Sequence, residues 1–221
     1  KIMGDMRDAQ VRPEDAEGVF MEADSRKYPG FAFDKFENRE TEEPGFVPGI
    51  APEFFRIGGL FKDPNWGGAC VMTPWYYYRE YGDVNILRQN FGLMQSYVDH
   101  LERRSVNGVL KEYAQMGEWG QLNENTPAAL VATCAFYQQA VTLSGIAGIL
   151  GNIQEEERYR EMGKRIQEGF HADAECWQPE KEIYGNGSQA SYGCVLFSGI
   201  VMPEKKAVSY THLTLPTNSR V

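Results

Sequence analysis

Residues 63–69 read Asp63-Pro64-Asn65-Trp66-Gly67-Gly68-Ala69 and lead into an aromatic segment that ends at Gly82-Asp83. The pattern predicts a helix from about residue 66 to 81, because Gly82 can take the left-handed conformation that closes a helix. Asp83 is a good N-cap for a second helix that follows at once. Trp66 is therefore expected in the first turn of a helix, at the end of a long loop rich in proline and glycine.

The same residues suggest a binding surface. Gly67 and Gly68 have no side chains that could cover the Trp66 ring, so its face is expected to be open. An open indole beside the carboxylate of Asp63 suits a sugar, whose apolar faces stack on aromatic rings and whose hydroxyls bind carboxylates. The alternative is that Trp66 is a core residue that seals the loop.

Further helices follow at a regular interval. Helix starts at Trp66, Thr126 and Ser188 are about 60 residues apart, which indicates a repeat architecture. Helices that are apolar on nearly every face alternate with amphipathic ones. Short turns at 82–83 and 151–152 alternate with long connections at 11–65, 105–125 and 173–187.

This double alternation predicts an all-α fold. An inner ring of buried helices inside an outer ring of half-exposed helices explains the first alternation, and antiparallel hairpins with every long loop at one end explain the second. The prediction is therefore an α/α toroid, with an open stacked solenoid as the alternative. Thr126-Pro127 is expected to cap the third helix and Asn152 the fourth.

Bulk composition narrows the function. The chain has 221 residues and a net charge of −9, which argues against nucleic acid as a partner. The sequence has no run of about 18 apolar residues, so no membrane span is predicted. The start of the chain reads as the interior of a longer protein. The sequence carries no signal for an oligomeric state.

The histidines and cysteines suggest no metal or cofactor chemistry. Cys70, Cys134, Cys176 and Cys194 are far apart and are expected to be mostly buried free thiols, which slightly favours a cytoplasmic location. His100 and His171 lie near the ends of amphipathic helices and are expected at the surface.

The end of the chain has a pattern that differs from the rest of the sequence. Residues 208–217 read Val208-Ser209-Tyr210-Thr211-His212-Leu213-Thr214-Leu215-Pro216-Thr217 and have neither helical nor strand periodicity. They correspond to one reading frame of a transposase mosaic-end sequencing adapter. Residues 208–221 are therefore predicted to be a translated adapter, and residues 1–207 to be a domain truncated at both ends.

The predicted loop face brings together a set of polar and aromatic residues. Glu118-Trp119 repeats the pairing of a carboxylate with a glycine-flanked indole. Two such indoles predict a carbohydrate site, whereas the alternative is that they cap the inner helices. The face is expected to contain Asp63, Trp66, Glu118, Trp119, Glu124, Tyr184, Asn186 and Gln189.

Several short motifs resemble one known family. Their order and spacing over about residues 1–206 are similar to the catalytic domain of bacterial α-L-rhamnosidases, glycoside hydrolase family 78. The motifs are Met6-Arg7-Asp8-Ala9-Gln10, Val47-Pro48-Gly49-Ile50-Ala51-Pro52, Trp66-Gly67-Gly68-Ala69, Pro74-Trp75, Tyr81-Gly82-Asp83, Gly117-Glu118-Trp119, Thr126-Pro127 and Ser188-Gln189.

The resemblance implies an (α/α)6 barrel and an enzyme that hydrolyses terminal α-L-rhamnose from plant glycosides or polysaccharides, with inversion. It implies that Trp66 and Trp119 contact the sugar, and the expected substrate-binding set is Trp66, Trp119, Glu118, Asp63 and Gln189. Glu118 stands where family members commonly have Asp. The segments that carry the family's general acid and base are not in this chain, so no catalytic residue is assigned.

The chain alone is therefore expected to be inactive and poorly stable, because a partial ring leaves apolar helix faces uncovered. Two alternatives remain at this point. One is another α/α-barrel glycosidase in which Glu118 is the general acid. The other is a non-enzymatic helical-repeat binding module whose long loops hold a protein partner.

Overall fold

The computed structural model describes residues 2–10, 44–49, 63–111, 113 and 125–214. Within these ranges the protein is mostly helical, with one short antiparallel hairpin. The helices are α1 (Ile2–Ala9), α2 (Pro64–Gly67), α3 (Ala69–Tyr81), α4 (Val84–Arg104), α5 (Ala128–Ile149), α6 (Ile153–Ala172), α7 (Gln189–Ser198) and α8 (Lys206–Thr214). The strands are β1 (Trp177–Gln178) and β2 (Ile183–Tyr184), and a 3-10 turn spans Pro203–Lys205.

The predicted turn between α3 and α4 is confirmed. Gly82 has φ 70° and donates its N–H to the Tyr78 carbonyl at 2.8 Å, which closes α3. Asp83 then caps α4, because its Oδ1 accepts the Asn85 N–H at 2.9 Å. The start of α3 differs from the prediction: the helix breaks at Gly68, and Trp66 lies in the separate one-turn helix α2.

The second short turn is also confirmed. Gly151 has φ 75°, and the Asn152 N–H bonds the Ala147 carbonyl at 2.9 Å across the end of α5. The Asn152 side chain accepts the Glu155 N–H at 3.4 Å and so begins α6. The two turns make α3 with α4, and α5 with α6, into antiparallel helical hairpins.

Helix α5 is the centre of the described structure. It contacts α2, α3, α4, α6 and α7. Residues 129–136 are buried on every side, as predicted, but the second half of α5 has an open face where Val141 is 44% and Ile149 38% exposed. By length and composition α5 could also cross a membrane, and 72% of its most apolar window is buried inside the protein, as in the core helix of a soluble protein.

The other hairpin helices, α4 and α6, are amphipathic, as predicted. Apolar residues at three- and four-residue spacing face α5, and polar residues link the two outer surfaces. Asp99 of α4 accepts hydrogen bonds from Arg158 at 2.8 Å and from the Tyr159 hydroxyl at 3.0 Å. The buried residues are Leu87, Asn90, Leu93, Met94, Tyr97, Val98, His100 and Leu101 on α4, and Tyr159, Met162, Gly163, Ile166 and Phe170 on α6.

The spacing of the inner helices follows the predicted repeat. A long connection precedes α5, α7 and the α2–α3 segment, and α5 contacts both α3 and α7. The starts of α5 and α7 lie side by side, since the Thr126 hydroxyl is 3.0 Å from the Ser188 hydroxyl, and Gly68 before α3 packs against Gln139 of α5. This is the arrangement expected of an α/α barrel.

The end of the chain departs from the prediction. Residues from Val208 onward were expected to have no regular structure, yet α8 continues to Thr214 and packs against α7. Its backbone continues from the 3-10 turn, and Ser209 donates its hydroxyl to the Lys205 carbonyl at 2.9 Å. The helix lacks the apolar periodicity by which sequence patterns reveal helices. The adapter origin of residues 208–221 stays a prediction.

Candidate functional site

Residues 63–68, which we name the Trp66 turn, are held by a local cap. Asp63 accepts the Asn65 backbone N–H at 2.8 Å and the Asn65 side-chain amide at 3.1 Å through Oδ1. Pro64 occupies the first helical position, where no N–H is needed. Asp63 is 4% exposed, so its carboxylate organises the turn.

The turn exposes only two of its residues. Asp63, Pro64, Gly67 and Gly68 are buried, whereas Asn65 and Trp66 are exposed, with Trp66 49% exposed. A half-exposed indole on a buried and hydrogen-bonded turn is a fixed apolar surface. This arrangement can stack an apolar sugar face.

Gly67 and Gly68 are required for a further reason that the sequence analysis did not identify. A methyl group on Gly67 would lie 2.6 Å from the Tyr97 hydroxyl oxygen and 2.8 Å from the Val47 carbonyl oxygen. A methyl group on Gly68 would collide with the Gln139 amide and the Pro64 carbonyl. The glycines are therefore required for close packing beneath the turn, in addition to leaving the Trp66 ring uncovered.

Gln139 joins the turn to the core. Its Nε2 donates to the Pro64 carbonyl at 2.6 Å, across 75 residues of sequence. The side chain is 2% exposed and belongs to the middle of α5. The sequence analysis missed this residue, because a glutamine inside an apolar helix has no local pattern that names its partner.

A second polar cluster joins the starts of α5 and α7. Ser188 caps α7 by accepting the Ser191 N–H at 3.1 Å, and its hydroxyl lies 3.0 Å from the Thr126 hydroxyl. Asn186 accepts the Ser188 N–H and donates to the Asn125 carbonyl, both at 3.1 Å. This cluster fixes the rim of the array at the N-termini of two neighbouring inner helices.

The predicted role of Thr126 as a helix cap is wrong. Pro127 occupies the N-cap position of α5 with no side-chain cap bond, and the Thr126 hydroxyl instead contacts Ser188. Thr126 therefore links the start of α5 to the start of α7 and does not cap α5. Only the fold brings Ser188, 62 residues away, to this position.

Gln189 lies at the rim. It is the exposed first residue of α7, next to the exposed Asn186. The Trp66 turn meets α5 at Gln139, 11 positions beyond Ala128 at the start of that helix, which is about 16 Å along a helix axis. The Trp66 turn therefore meets α5 near its middle, whereas Gln189 lies at the rim where α5 and α7 begin.

Tyr184 is buried although it was expected on the loop face. It is 1% exposed, and its hydroxyl lies 3.0 Å from His171 Nε2. Burial raises the pKa of Tyr184 to about 12. The residue packs among Trp177, Phe170 and Tyr192. Tyr184 therefore supports the β-hairpin and not the binding surface.

The expectation of two surface histidines is wrong for His100. It is 1% exposed, and its Nε2 lies 3.2 Å from the Tyr113 hydroxyl. His171 is half-buried, with Nδ1 2.8 Å from the Gln167 carbonyl. Burial lowers the pKa of His171, which outweighs the opposing effects of that carbonyl and of Glu204.

The cysteines behave as predicted. All four are free thiols, with Cys70, Cys134 and Cys176 buried and Cys194 partly exposed. Burial raises the thiol pKa of the three buried cysteines, so they are poor nucleophiles at neutral pH. In the part of the chain that the structure describes, no group of three His, Cys, Asp or Glu residues could hold a metal ion.

The second predicted indole lies outside the described residues. Glu118, Trp119 and Glu124 all belong to the interval between residues 113 and 125. The described part of the predicted set therefore consists of Asp63, Trp66 and Gln189. Asp63 and Trp66 share one turn, and Gln189 lies apart at the rim.

Comparisons with known proteins agree on one family. Residues 13–220 match the model of the bacterial alpha-L-rhamnosidase 6 hairpin glycosidase domain. An alpha-L-rhamnosidase of Formosa agariphila is 25% identical over 183 residues, which are 76% of this chain and 18% of that protein. One from Streptomyces avermitilis is 30% identical over 131 residues, which are 59% of this chain and 12% of that protein.

Solved structures show the same fold. The alpha-L-rhamnosidase of Streptomyces avermitilis complexed with L-rhamnose superposes with a TM-score of 0.73 at 20% identity, over 96% of this chain and 17% of that one. The enzyme from Dictyoglumus thermophilum gives a TM-score of 0.69 at 24% identity, over 96% and 20%. This chain thus spans less than a fifth of the curated relatives named here. It belongs to the bacterial alpha-L-rhamnosidase six-hairpin glycosidase family.

Proposed function

We propose that the protein carrying this chain is a glycoside hydrolase that removes terminal α-L-rhamnose, with inversion at the anomeric carbon. Its substrate would be a rhamnose-containing glycoside or polysaccharide. The proposal rests on the family match over residues 13–220 and on relatives that carry the name alpha-L-rhamnosidase.

Within that enzyme, the chain contributes part of the wall of the sugar site. The observation that carries this assignment is Trp66, a 49% exposed indole on a turn whose other residues, except Asn65, are buried. A fixed, open aromatic ring stacks on the apolar face of a pyranose without first having to be ordered. We place Trp119 and Glu118 on the same wall, by their resemblance to the family pattern.

Two further residues have different roles in this proposal. Asp63 caps the turn from a buried position, so it acts on the sugar through Trp66. Gln189 lies at the rim, where a part of the substrate further from the cleaved bond would pass. An inverting hydrolase uses an acid and a base about 6.5–9.5 Å apart, and we assign neither to this chain.

Activity is tested on the complete gene product. It should release p-nitrophenol from p-nitrophenyl α-L-rhamnopyranoside, and proton NMR should show the β-anomer of L-rhamnose as the first product. The 221-residue chain alone should be inactive. Faster hydrolysis of a glucoside or fucoside than of the rhamnoside would contradict the substrate, and α-L-rhamnose as the first product would contradict inversion.

Glu118→Gln separates this proposal from a glycosidase that uses Glu118 as its acid. In our proposal the variant raises KM and keeps most of kcat, since Glu118 binds the sugar and moves no proton. A loss of kcat of about 100-fold or more with a changed pH profile, as expected for a general acid, would contradict this role.

A further inference from the structure

Gln139 is a buried amide in the middle of a mostly apolar helix. It is 2% exposed, and α5 around it presents mostly small and apolar side chains to the core. A polar side chain in such a place carries a desolvation cost that its hydrogen bonds must offset. Its interactions therefore indicate what the residue does.

The orientation of the Gln139 amide is set by chemistry. The Pro64 carbonyl oxygen is only an acceptor, so the atom 2.6 Å from it must be the donor Nε2. Among the described residues, no donor lies within hydrogen-bonding distance of the opposite atom, the buried Oε1. The Nε2 donor is satisfied by the Trp66 turn, whereas the unpaired Oε1 acceptor carries the free-energy cost of its desolvation.

The contact is made at the base of the Trp66 turn. The Pro64 carbonyl also accepts the Gly68 N–H at 3.1 Å, so Gln139 adds a second donor to an oxygen that already has one. Gly68 lies directly against the Gln139 amide, and any side chain there would displace it. Turn and amide therefore fit each other closely, two residues from the exposed Trp66.

We propose that Gln139 is a positioning residue that holds the Trp66 turn on α5 and so sets where the Trp66 indole meets the sugar. This inference rests on the proposed role of Trp66 in sugar binding. Local capping by Asp63 forms the turn, but it does not fix the turn relative to α5. The bond from Gln139 does, because it ties the turn to α5, a helix 75 residues away in sequence.

If Gln139 served stability alone, its replacement would lower Tm, and sugar binding would not be specifically weakened. The positioning role predicts the opposite pattern. In Gln139→Met the apolar side chain has nearly the same length, the unpaired Oε1 disappears, and the Pro64 carbonyl keeps its bond from Gly68. The variant should therefore change Tm little, since removing both the bond and the unpaired acceptor is nearly neutral. Sugar binding, in contrast, should weaken because the turn is free to shift.

The experiment measures L-rhamnose binding by calorimetry, KM and kcat on p-nitrophenyl α-L-rhamnopyranoside, and Tm, all in the complete gene product. Gln139→Met should weaken L-rhamnose binding and raise KM about ten-fold, with kcat within about two-fold of wild type. Trp66→Ala should weaken binding at least as much. Gln139→Met should have no further effect when it is added to Trp66→Ala.

Ser144→Ala is the matched control. Ser144 also belongs to α5, is 8% exposed, and donates to a backbone carbonyl, that of Glu156 at 2.8 Å, away from the Trp66 turn. Its loss should leave L-rhamnose binding unchanged. If Gln139→Met does not fold, Gln139→Asn replaces it, because the amide that is one methylene shorter cannot keep the 2.6 Å contact.

The outcomes separate the inference from the function on which it rests. Unchanged binding in Trp66→Ala would overturn both the sugar-binding role of Trp66 and the positioning role. A loss in Trp66→Ala with none in Gln139→Met would overturn only the positioning role. An equal loss from Gln139→Met in both backgrounds would also overturn it, because Gln139 would then act by a route other than Trp66.

Discussion

Single residues beneath Trp66 determine how the indole is presented. Tyr97 and Gln139 approach the backbone of Gly67 and Gly68 so closely that a methyl group at either glycine would collide with them. The turn can therefore sit directly on α4 and α5. The exposed ring rests on this contact, and a larger residue at either glycine would lift it.

Gly67→Ala tests this packing. We expect a lower Tm, equivalent to about 1–3 kcal/mol of unfolding free energy, because the added methyl overpacks the core against Tyr97 and Val47. Tyr97→Phe in the same chain should restore part of the loss by removing the hydroxyl oxygen. Gly92→Ala in α4 is the control, since no atom lies near its added methyl and helix propensity favours alanine. A loss in Gly92→Ala equal to that in Gly67→Ala would contradict the steric explanation.

His171 should make the domain sensitive to acid. Burial lowers its pKa below the ordinary value of about 6.5, so the folded protein binds fewer protons than the unfolded chain. Its contribution to stability is therefore complete above about pH 6.5 and is lost as the pH falls through the lowered pKa.

Thermal unfolding of the wild type and of His171→Gln at about pH 7 and about pH 5 measures this contribution. The Tm of the wild type should fall further between the higher and the lower pH than the Tm of the variant. The comparison cancels the carboxylates, which titrate in both proteins. An equal loss in the two proteins would show that His171 does not control acid sensitivity.

At the scale of elements, side-chain hydroxyls join neighbouring inner helices. Ser188 caps α7 and contacts Thr126 just before α5, so one residue serves both a local and a long-range bond. The outer helices α4 and α6 are joined differently, by Arg158, Tyr159 and Asp99 at their exposed edge. The inner ring thus depends on buried neutral bonds and the outer ring on solvated ion pairs.

Ser188→Ala should destabilise the domain by about 1–2 kcal/mol, the cost of losing a helix cap, and more if the bond to Thr126 adds to it. Ser198→Ala is the control at the other end of α7, where the hydroxyl donates to the Val195 carbonyl at 3.2 Å. The readout is Tm together with amide exchange at residues 189–192. Equal effects of the two substitutions would contradict a special role for Ser188.

At the scale of the whole molecule, we propose that residues 208–221 do not belong to the domain. Helix α8 packs against α7, but its residues from Val208 onward correspond to an adapter reading frame. Re-sequencing the source DNA across codon 207 should give a frame that continues into further helical hairpins. A source DNA that encodes residues 208–221 as they stand would contradict the adapter origin.

Much of the fold could be predicted from the sequence because its signals are local. The cap residues Gly82, Asp83, Asn152 and Ser188 bond partners within a few positions. The apolar spacing of α4 and α6 likewise depends on the helical period alone. The alternation of long and short connections then predicts the hairpin array.

The remaining features could not be predicted, since they depend on partners far apart in sequence. Thr126 was predicted to cap a helix, but its hydroxyl contacts Ser188. His100 was predicted at the surface, but it is buried against Tyr113 and Phe46. In the candidate site, Trp66 was evident from the sequence, but its support by Gln139 was not.

The sequence by itself determined most of the helices, most of their caps, the repeat and the family, because hydrogen bonds within a few residues and the helical period follow directly from residue order. The tertiary structure alone decided which polar groups meet. It brought Gln139 to Pro64 and Ser188 to Thr126, over separations of 75 and 62 residues. No local pattern encodes such pairs, since each contact exists only after packing of the apolar faces has placed the helices side by side.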